Sequence, residues 1–359
     1  MKHTNLLFKR LTSALTAASL LLIGTISVAA DDTEYESVES AVPQKVLVIG
    51  DSIATGYGLE GYDNGRENVE SYANMLKKDF EKELKQGEED FTNKAIDGQT
   101  SPELLEDLQK GEYDSDLEGC DLVLISIGGN DLLHTLFGFF SENTDYGISI
   151  KDILSNHSVG EIMSIYTDLS KVLEEKLAAY DDNIKDITTY INDKCDARVI
   201  VQTLYNPVDT KEKPKLFMAF VKSKIDTLNE KINNNAKDEQ GNVRYEIADV
   251  FTAFSGQGDK LTNIAKIDIH PNADGHKKIY ETINGVIRQK SFTIKVEKPK
   301  AEAVQADADK TESSTGSKDK QDDDYKIIVI ATIAVASLAA GVSAVTIAAT
   351  RKKQKGDTK

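Results

Sequence analysis

Short apolar runs alternate with longer amphipathic stretches through the middle of this chain. Residues 46–49, Val-Leu-Val-Ile, form the clearest run, and they predict a strand that is buried on both faces of a sheet. Similar runs at residues 121–127 and 198–204 predict two more strands, and weaker runs at residues 91–95 and 244–250 bring the number to five. Strands that alternate with helices imply right-handed crossovers, so the pattern predicts a parallel sheet layered by helices.

Apolar residues spaced three or four apart predict the helices between these strands. Residues 71–84 carry one such stripe. Ser101 followed by Pro102 predicts a second helix, with Ser101 as its N-cap, that ends near Gly111. The remaining stripes predict a long helix or a helix pair over residues 162–187, and further helices over residues 216–232 and 274–287.

The first 30 residues have the pattern of a secretory signal peptide. Lys2, Lys9 and Arg10 precede an apolar run, and three small residues at 28–30 come before an acidic stretch. We expect cleavage after Ala30. An uncleaved membrane anchor is the alternative.

A second long apolar segment, residues 326–350, predicts a transmembrane helix. Its 23 central residues carry no charge and would reach about 34 Å as a helix, which is enough to cross a bilayer core. Acidic residues precede the segment, and Arg351 with three lysines follows it, so the positive-inside rule places residues 351–359 in the cytoplasm. The sequence predicts a single-pass plasma-membrane protein whose main body is extracytoplasmic. A buried core helix is the alternative for this segment.

The region between these two ends divides into a folded part and a polar part. Residues 291–325 contain almost nothing large and apolar after Val296, so we expect a disordered stalk there and one α/β domain over residues 43–290. The whole-chain net charge is −17; residues 1–30 contribute +3 and the residues after 326 contribute +4, which leaves −24 for the rest. So acidic an exterior argues against nucleic acid as a partner.

Four polar segments are predicted to meet at one edge of the sheet. Asp51 and Ser52 follow the first strand, and ligands of open α/β sheets bind outside the carboxyl ends of the strands. Each segment is also an ordinary turn sequence, but their combination favours a catalytic crevice. The other three segments are residues 95–100 with Gly98, residues 126–131 with Asn130, and residues 268–272 with His270.

These segments resemble, in order, the four blocks of the SGNH or GDSL hydrolases. The resemblance rests on Gly50-Asp51-Ser52, Gly98, Gly128-Gly129-Asn130-Asp131 and His270-Pro271, and it covers residues 45–289. It implies a flavodoxin-like α/β/α sandwich with a five-stranded parallel sheet in the order 2-1-3-4-5. It also implies serine esterase chemistry without a cofactor, and the sequence contains no metal-binding cluster.

The same resemblance implies a role for each site residue. Ser52 would be the nucleophile and His270 its base, because a serine hydroxyl reacts only when a neighbouring imidazole takes its proton. The N–H groups of Ser52 and Gly98 and the side-chain amide of Asn130 would form the oxyanion hole. These roles predict the hydrolysis of a carboxylic ester through an acyl-enzyme.

One position departs from the family pattern. The family usually places an aspartate three residues before the histidine, whereas this chain has Ile267 there and Asp268 two residues before His270. In an extended segment residues two apart face the same side, so Asp268 is a candidate for the third member of a triad. The alternative is a dyad in which a backbone carbonyl orients the ring. We expect His134 and His276 to be surface or rim residues.

The substrate stays open between lipid acyl, short acyl and O-acetyl esters. Residues 132–140 either form a wall for an acyl chain or begin a buried helix, and the glycine-rich loop at residues 58–65 with Arg66 is expected to form the opposite rim. Two competing functions on the same fold are a non-catalytic surface adhesin and a flavin-binding redox protein. Reaction with a fluorophosphonate and visible absorbance would distinguish them.

The only two cysteines, Cys120 and Cys195, precede strands that are neighbours in the implied order. They lie at the edge of the sheet opposite the predicted site. They either form a disulfide, which an oxidising exterior would preserve, or remain two separate thiols.

Overall fold

The computed structural model describes residues 35–84, 90–142, 159–209, 216–266 and 268–297. Their centre is a five-stranded sheet in the order β3-β2-β4-β5-β6, and all neighbouring strands are parallel. The predicted α/β fold is confirmed, and the strand order is the implied 2-1-3-4-5. The strands are β2 (Lys45–Gly50), β3 (Asp90–Asn93), β4 (Leu122–Ser126), β5 (Arg198–Gln202) and β6 (Glu246–Ala248).

Helices connect these strands on both faces of the sheet. The segment predicted as one helix or a helix pair is a single helix, α6. The helices are α1 (Ser52–Thr55), α2 (Tyr72–Glu83), α3 (Ser101–Gln109), α4 (Asp114–Leu117), α5 (Gly129–Glu142), α6 (Val159–Lys194), α7 (Leu216–Asn235), α8 (Val250–Phe254), α9 (Gly258–Leu261) and α10 (Ala273–Ile287), with short 3-10 turns at Tyr62–Asn64, Arg66–Asn68 and Ile264–Lys266.

Two apolar cores separate the sheet from its helices. On one face, α2 and α10 pack Tyr72, Phe80 and Ile283 against β2 and β4. On the other face, α3, α6 and α7 bury residues such as Leu104 and Tyr180. Because residues of β2 alternate between the two cores, the strand is buried on both sides, as its continuous apolar run predicts.

The N-terminus of α3 differs from the prediction by one residue. The N-cap is Thr100, whose backbone N–H donates to Glu103 Oε2 at 2.9 Å in a capping box. Ser101 is therefore the first residue of the helix rather than its cap. Its hydroxyl instead donates a hydrogen bond to Asp131 Oδ1 at 2.6 Å.

Two strands outside the central sheet extend the folded unit past the predicted boundaries of 43 and 290. β1 (Tyr35–Ser40) pairs antiparallel with β7 (Phe292–Glu297), so the predicted stalk does not begin at residue 291. The physical reason is the alternation in β7, where Phe292 and Ile294 are buried in the core beside β2 while Thr293 and Lys295 are exposed.

The predicted signal peptide, transmembrane segment and cytoplasmic tail, together with residues 298–325 of the predicted stalk, lie outside the described residues. Within the residues that are described, no helix combines the length and apolarity that a membrane span requires.

Both cysteines are free thiols. Leu122 pairs with Arg198 in the sheet, so Cys120 aligns with Asp196, and Cys195 is offset from it by one residue. Cys120 is buried and directs its thiol to the Leu122 carbonyl at 3.2 Å. The structure thus corresponds to the two-thiol alternative.

Candidate active site

Ser52 lies at a tight turn between β2 and α1. Gly50 has a φ of 120°, and a Cβ there would come within 1.9 Å of the Ser126 carbonyl oxygen on β4, so this close approach requires glycine. The Asp51 N–H donates to that same oxygen at 2.8 Å. Asp51 also caps α1 by accepting the Ile53 N–H at 3.1 Å. Ser52 is thereby held at the carboxyl edge of the sheet as the first residue of a helix.

A buried polar network lies beneath this turn. The Ser126 hydroxyl donates to Asp51 Oδ1 at 2.8 Å, and Gln202 Nε2 donates to the Ser126 hydroxyl at 2.8 Å. Burial raises the pKa of Asp51 from 3.8 to about 7, with a further contribution from the charge of Asp131 and against the lowering effect of the hydrogen bonds from Ser126 and Ile53. The carboxyl group beside Ser52 therefore titrates near neutral pH.

Ser52, His270 and Asp268 form one hydrogen-bonded line. Ser52 Oγ lies 2.9 Å from His270 Nε2, and His270 Nδ1 lies 2.6 Å from Asp268 Oδ1. The His270 backbone N–H donates to the same carboxylate oxygen at 3.0 Å. Burial opposes the ionisation of Asp268, but the hydrogen bonds and charge of His270 outweigh it and lower the pKa of Asp268. The structure places Asp268 where the triad alternative requires it.

Two further side chains hold this histidine segment in place. Asn263 Nδ2 donates to the Gly58 carbonyl at 3.3 Å and to Asp268 Oδ2 at 3.4 Å. The ring of Tyr57 lies 4.7 Å from the His270 ring, centroid to centroid. The loop after α1 thus contacts the histidine segment directly, although the two are far apart in sequence.

Tyr205 makes a third long-range contact. It is buried at the end of β5, and its hydroxyl donates to the Ile269 carbonyl at 2.9 Å, next to His270. The contacts that Asn263, Tyr57 and Tyr205 make with the histidine segment could not be predicted from the sequence. No local pattern signals them, because their partners come from distant parts of the chain.

Three candidate hydrogen-bond donors follow three strand ends at the edge of the sheet that carries Ser52. Gly98 follows β3 with a φ of 81°, a conformation that glycine adopts without strain. Asn130 donates one amide hydrogen to the Gln99 carbonyl at 2.9 Å, which fixes the amide and leaves its second N–H available. Among the described residues, neither the Ser52 N–H nor the Gly98 N–H has an acceptor. These donors are available to a substrate oxygen.

Asp131, the next residue after Asn130, helps to position the Asn130 side chain by binding the start of α3. Its carboxylate accepts both the backbone N–H of Ser101, at 3.0 Å, and the Ser101 hydroxyl. Asn183 of α6 donates to the same hydroxyl at 2.9 Å. These bonds join α3, α5 and α6 and thereby position the start of α5, which carries Asn130.

An apolar cavity of about 350 Å³ adjoins the site, and Ser52, Asn130 and His270 are part of its lining. Leu133 and Leu136 of α5 line one side, while Leu132 both lines the cavity and packs against the core. The first part of residues 132–140 therefore lines a cavity beside the site and also begins a helix that packs against the core, so both alternatives apply. The side chains of residues 137–140 are not among the described ones.

The glycine-rich loop borders the site on the Tyr57 side, but Arg66 does not reach it. Arg66 donates to the carbonyls of Asn93 and Ala95, each at 2.8 Å, and so fastens the loop to the end of β3. Tyr62 donates its hydroxyl to Asp97 Oδ2 at 2.8 Å and makes a second link of the same kind.

The other two candidate histidines have different surroundings. His134 is exposed on α5, as expected. His276 is fully buried, so its prediction as a surface or rim residue is wrong. Its Nδ1 accepts the Tyr72 N–H at 3.3 Å, and burial, with the nearby charge of His270, lowers the pKa of His276 to about 3. A ring held neutral in the core cannot exchange protons with a substrate at Ser52.

The arrangement as a whole is suited to acyl transfer. A hydroxyl is paired with an imidazole, the imidazole with an ionised carboxylate, and unsatisfied N–H donors lie at the same edge of the sheet. Over the described ranges, no three histidine, cysteine or acidic side chains are grouped as metal ligands.

Comparison with known proteins identifies the family. Residues 48–278 match the GDSL-like Lipase/Acylhydrolase family, so the chain belongs to this family of hydrolases, and the resemblance read from the four segments is confirmed. The uncharacterized protein YpmR of Bacillus subtilis is 22% identical over 285 residues, which cover 76% of this chain and 96% of that protein.

Two solved structures are similar to this chain at low identity. Phospholipase A1 from Streptomyces albidoflavus is 20% identical, with a TM-score of 0.48, over 68% of this chain and 99% of that one. A catalytic mutant of the acetylxylan esterase Axe2 from Geobacillus stearothermophilus is 18% identical, with a TM-score of 0.45, over 68% of this chain and 94% of that one.

Proposed function

We propose that this family member hydrolyses carboxylic esters through an acyl-enzyme on Ser52. His270 acts as general base and then as general acid, and Asp268 orients its ring. The observation that carries the proposal is the continuous line from Ser52 Oγ through both nitrogens of His270 to Asp268 Oδ1, at 2.9 and 2.6 Å.

The geometry supports a two-step reaction. Ser52 Oγ attacks the ester carbonyl carbon while its proton passes to His270 Nε2, and the carbonyl oxygen becomes an oxyanion. As the tetrahedral intermediate collapses, the carbon–oxygen bond to the alcohol breaks and the alcohol leaves with that proton. Water then attacks the acyl-enzyme, giving a proton to His270. Collapse of the second intermediate releases the acid and returns the proton to Ser52.

The oxyanion in both steps is stabilised by the Ser52 and Gly98 N–H groups and the free N–H of Asn130. Such donors contribute most when they are fixed before the charge develops. The hydrogen bond from Asn130 to the Gln99 carbonyl, at 2.9 Å, provides that preorganisation. Asp268, ionised and bound to Nδ1, stabilises the imidazolium that exists between proton transfers.

The test of this function uses purified full-length protein and a nitrophenyl ester. Ser52→Ala should lower turnover by several orders of magnitude, because the nucleophile is removed. Ser291→Ala, at an exposed serine on the opposite edge of the sheet, is the matched control and should keep wild-type turnover. Undiminished turnover in Ser52→Ala would exclude this mechanism. A wild-type protein that neither hydrolyses esters nor reacts with a fluorophosphonate would favour the adhesin alternative.

We also propose that the enzyme works outside the plasma membrane, anchored by one helix. The support is in the sequence: a signal-peptide pattern over residues 1–30, an uncharged apolar segment within residues 326–350 and a basic tail at 351–359. The full-length protein should stay with membranes after an alkaline wash, and a chain ended at residue 325 should be released into the medium. Removal of the full-length protein by the wash would contradict the anchor.

A further inference from the structure

The apolar cavity is continuous with the reaction site, since Ser52 and His270 themselves line it. Apart from these two residues and their neighbours Asp51 and Asn130, nearly all its lining is hydrocarbon. An acyl group attached to Ser52 has this cavity beside it. Burying its methylene groups there would be favourable by about 0.8 kcal/mol each.

Helices α6 and α7 contribute a second set of lining residues beside those of α5. Leu173 of α6 and Val221 and Ile225 of α7 form this part of the cavity wall. All three are aliphatic, and none offers a hydrogen bond to a polar acyl group. This wall selects for hydrocarbon rather than for a sugar or a charged acyl group.

Lys224 is an exception in this wall because it is charged. It lines the cavity, yet its side chain is only 12% exposed. Its Nζ donates to Ser170 Oγ at 2.7 Å and to Glu174 Oε1 at 3.1 Å, both on α6, and it lies 5.5 Å from the centroid of the Phe220 ring. The side chain of Glu174 is 66% exposed, so the ammonium lies close to solvent while the four-carbon stem borders the cavity.

Building on the proposed function, we propose that the enzyme's preferred substrates are esters of medium-length fatty acids, and that Lys224, bound to Ser170 and Glu174, closes the cavity between α6 and α7. A cavity of about 350 Å³ holds roughly twelve carbon atoms, if each methylene group takes about 30 Å³, the volume of one water molecule in the liquid. The stem of Lys224 limits the length of the acyl chain, and its ammonium holds the stem across the gap between the two helices.

The experiment measures kcat/KM of the full-length protein for nitrophenyl esters from acetyl to palmitoyl. The wild-type protein should show a maximum between octanoyl and dodecanoyl. Lys224→Ala should raise kcat/KM for the palmitoyl ester, relative to the decanoyl ester, by about fifteenfold, because about two further methylene groups become buried at roughly fourfold each. Lys224→Met retains most of the apolar stem but loses the ammonium that binds Ser170 and Glu174, so its ratio should lie between those of the wild type and Lys224→Ala.

A second pair of variants tests the wall independently of Lys224. Val221→Phe places a larger side chain in the cavity and should move the maximum toward shorter chains. Ala219→Phe introduces the same side chain at an exposed position two residues earlier on α7, and its length profile should match the wild type. This pair keeps the proposal testable if Lys224→Ala does not fold.

The two levels of the proposal fail in different ways. If the wild-type protein hydrolyses the acetyl ester fastest and kcat/KM falls with each added carbon, the acyl-length proposal is wrong while the esterase function stands. An unchanged length profile in both Lys224→Ala and Val221→Phe would equally overturn it. If the wild-type protein hydrolyses none of the esters, the proposed function itself fails.

Discussion

The two ends of the central sheet use their polar groups in opposite ways. At the amino ends, Asp121 Oδ2 accepts the backbone N–H groups of Gln44 and Lys45 at 2.9 and 2.8 Å, and Arg198 is paired with Glu246 at 2.9 Å. At the carboxyl ends, the backbone N–H groups of Ser52 and Gly98 have no acceptor among the described residues. Paired groups stabilise the fold, whereas unpaired donors at a cavity are available to a substrate.

This contrast predicts that substitutions at the carboxyl ends lower turnover more than stability, and that those at the amino ends do the reverse. The largest effect is expected at Asp268. Asp268→Asn and Asp268→Ala should each lower kcat by about 10⁴-fold, because the imidazole loses the carboxylate that sets its tautomer. Denaturant unfolding should show little change in stability. A loss of less than tenfold in both variants would select the dyad, with a backbone group orienting the ring.

A smaller loss is expected when one oxyanion donor is removed. Asn130→Ala should lower kcat by about 10²- to 10³-fold, the usual effect of deleting a single donor. Asn192→Ala is the matched control at the amino end of the sheet, where the Asn192 amide donates to the Arg244 carbonyl at 3.0 Å. Its kcat should equal that of the wild type. Equal kcat values for the two variants would remove Asn130 from the oxyanion hole.

At the amino ends the expected effect is on stability. Arg198 donates to Glu246 and to the carbonyls of Val286 and Ile287, and its guanidinium lies 4.7 Å from the ring of Phe292. Arg198→Ala should lower the free energy of unfolding by about 2 kcal/mol, because the largely buried Glu246 carboxylate keeps only its ion pair with the exposed Lys290, at 3.2 Å, and the Val286 and Ile287 carbonyls lose their donor. Turnover under native conditions should stay at the wild-type value.

The control for that experiment is Arg288→Ala. Arg288 pairs with Glu83 in a more exposed position, where an ion pair contributes at most about 1 kcal/mol. Urea denaturation of both variants gives the comparison. Similar losses of stability in the two variants would show that the contacts of Arg198 stabilise the fold no more than an exposed ion pair does.

The last prediction is a pH dependence of stability that arises at the carboxyl end. Burial raises the pKa of Asp51 to about 7, whereas an unfolded aspartate titrates near 4. Between these values the folded state binds more protons, so the contribution of Asp51 to stability falls as the pH rises from about 4 to about 7. Asp51→Asn should remove this trend from the free energy of unfolding. If the wild type and the variant show the same pH dependence, folding does not raise the pKa of Asp51.

The sheet could be predicted from the sequence because buried parallel strands are continuous apolar runs, as at residues 46–49. The pairing of Tyr35–Ser40 with Phe292–Glu297 could not be predicted, since each strand depends on a partner at the other end of the folded unit. The N-cap of α3 was missed for a related reason. Thr100 and Ser101 are both good caps, and the choice depends on Asp131, which binds the Ser101 hydroxyl from another helix.

The candidate site could likewise be predicted only in part. Ser52, Gly98, Asn130 and His270 could be assigned to one edge because parallel strands bring their carboxyl ends together. Whether Asp268 reaches the ring depends on the backbone conformation of three residues, which sequence alone leaves open. The cavity wall depends on how α6 packs against α7, and the contact of Lys224 with Ser170 and Glu174 arises only from that packing.

The most direct test of the central claim is the site of covalent modification. Full-length protein treated with a fluorophosphonate and mapped by peptide mass spectrometry should carry one adduct, on Ser52, because only this hydroxyl is paired with an imidazole at 2.9 Å in the described part of the chain. Ser52→Ala should carry none. An adduct on another residue, or ester hydrolysis that continues when Ser52 is unmodified, would contradict the account.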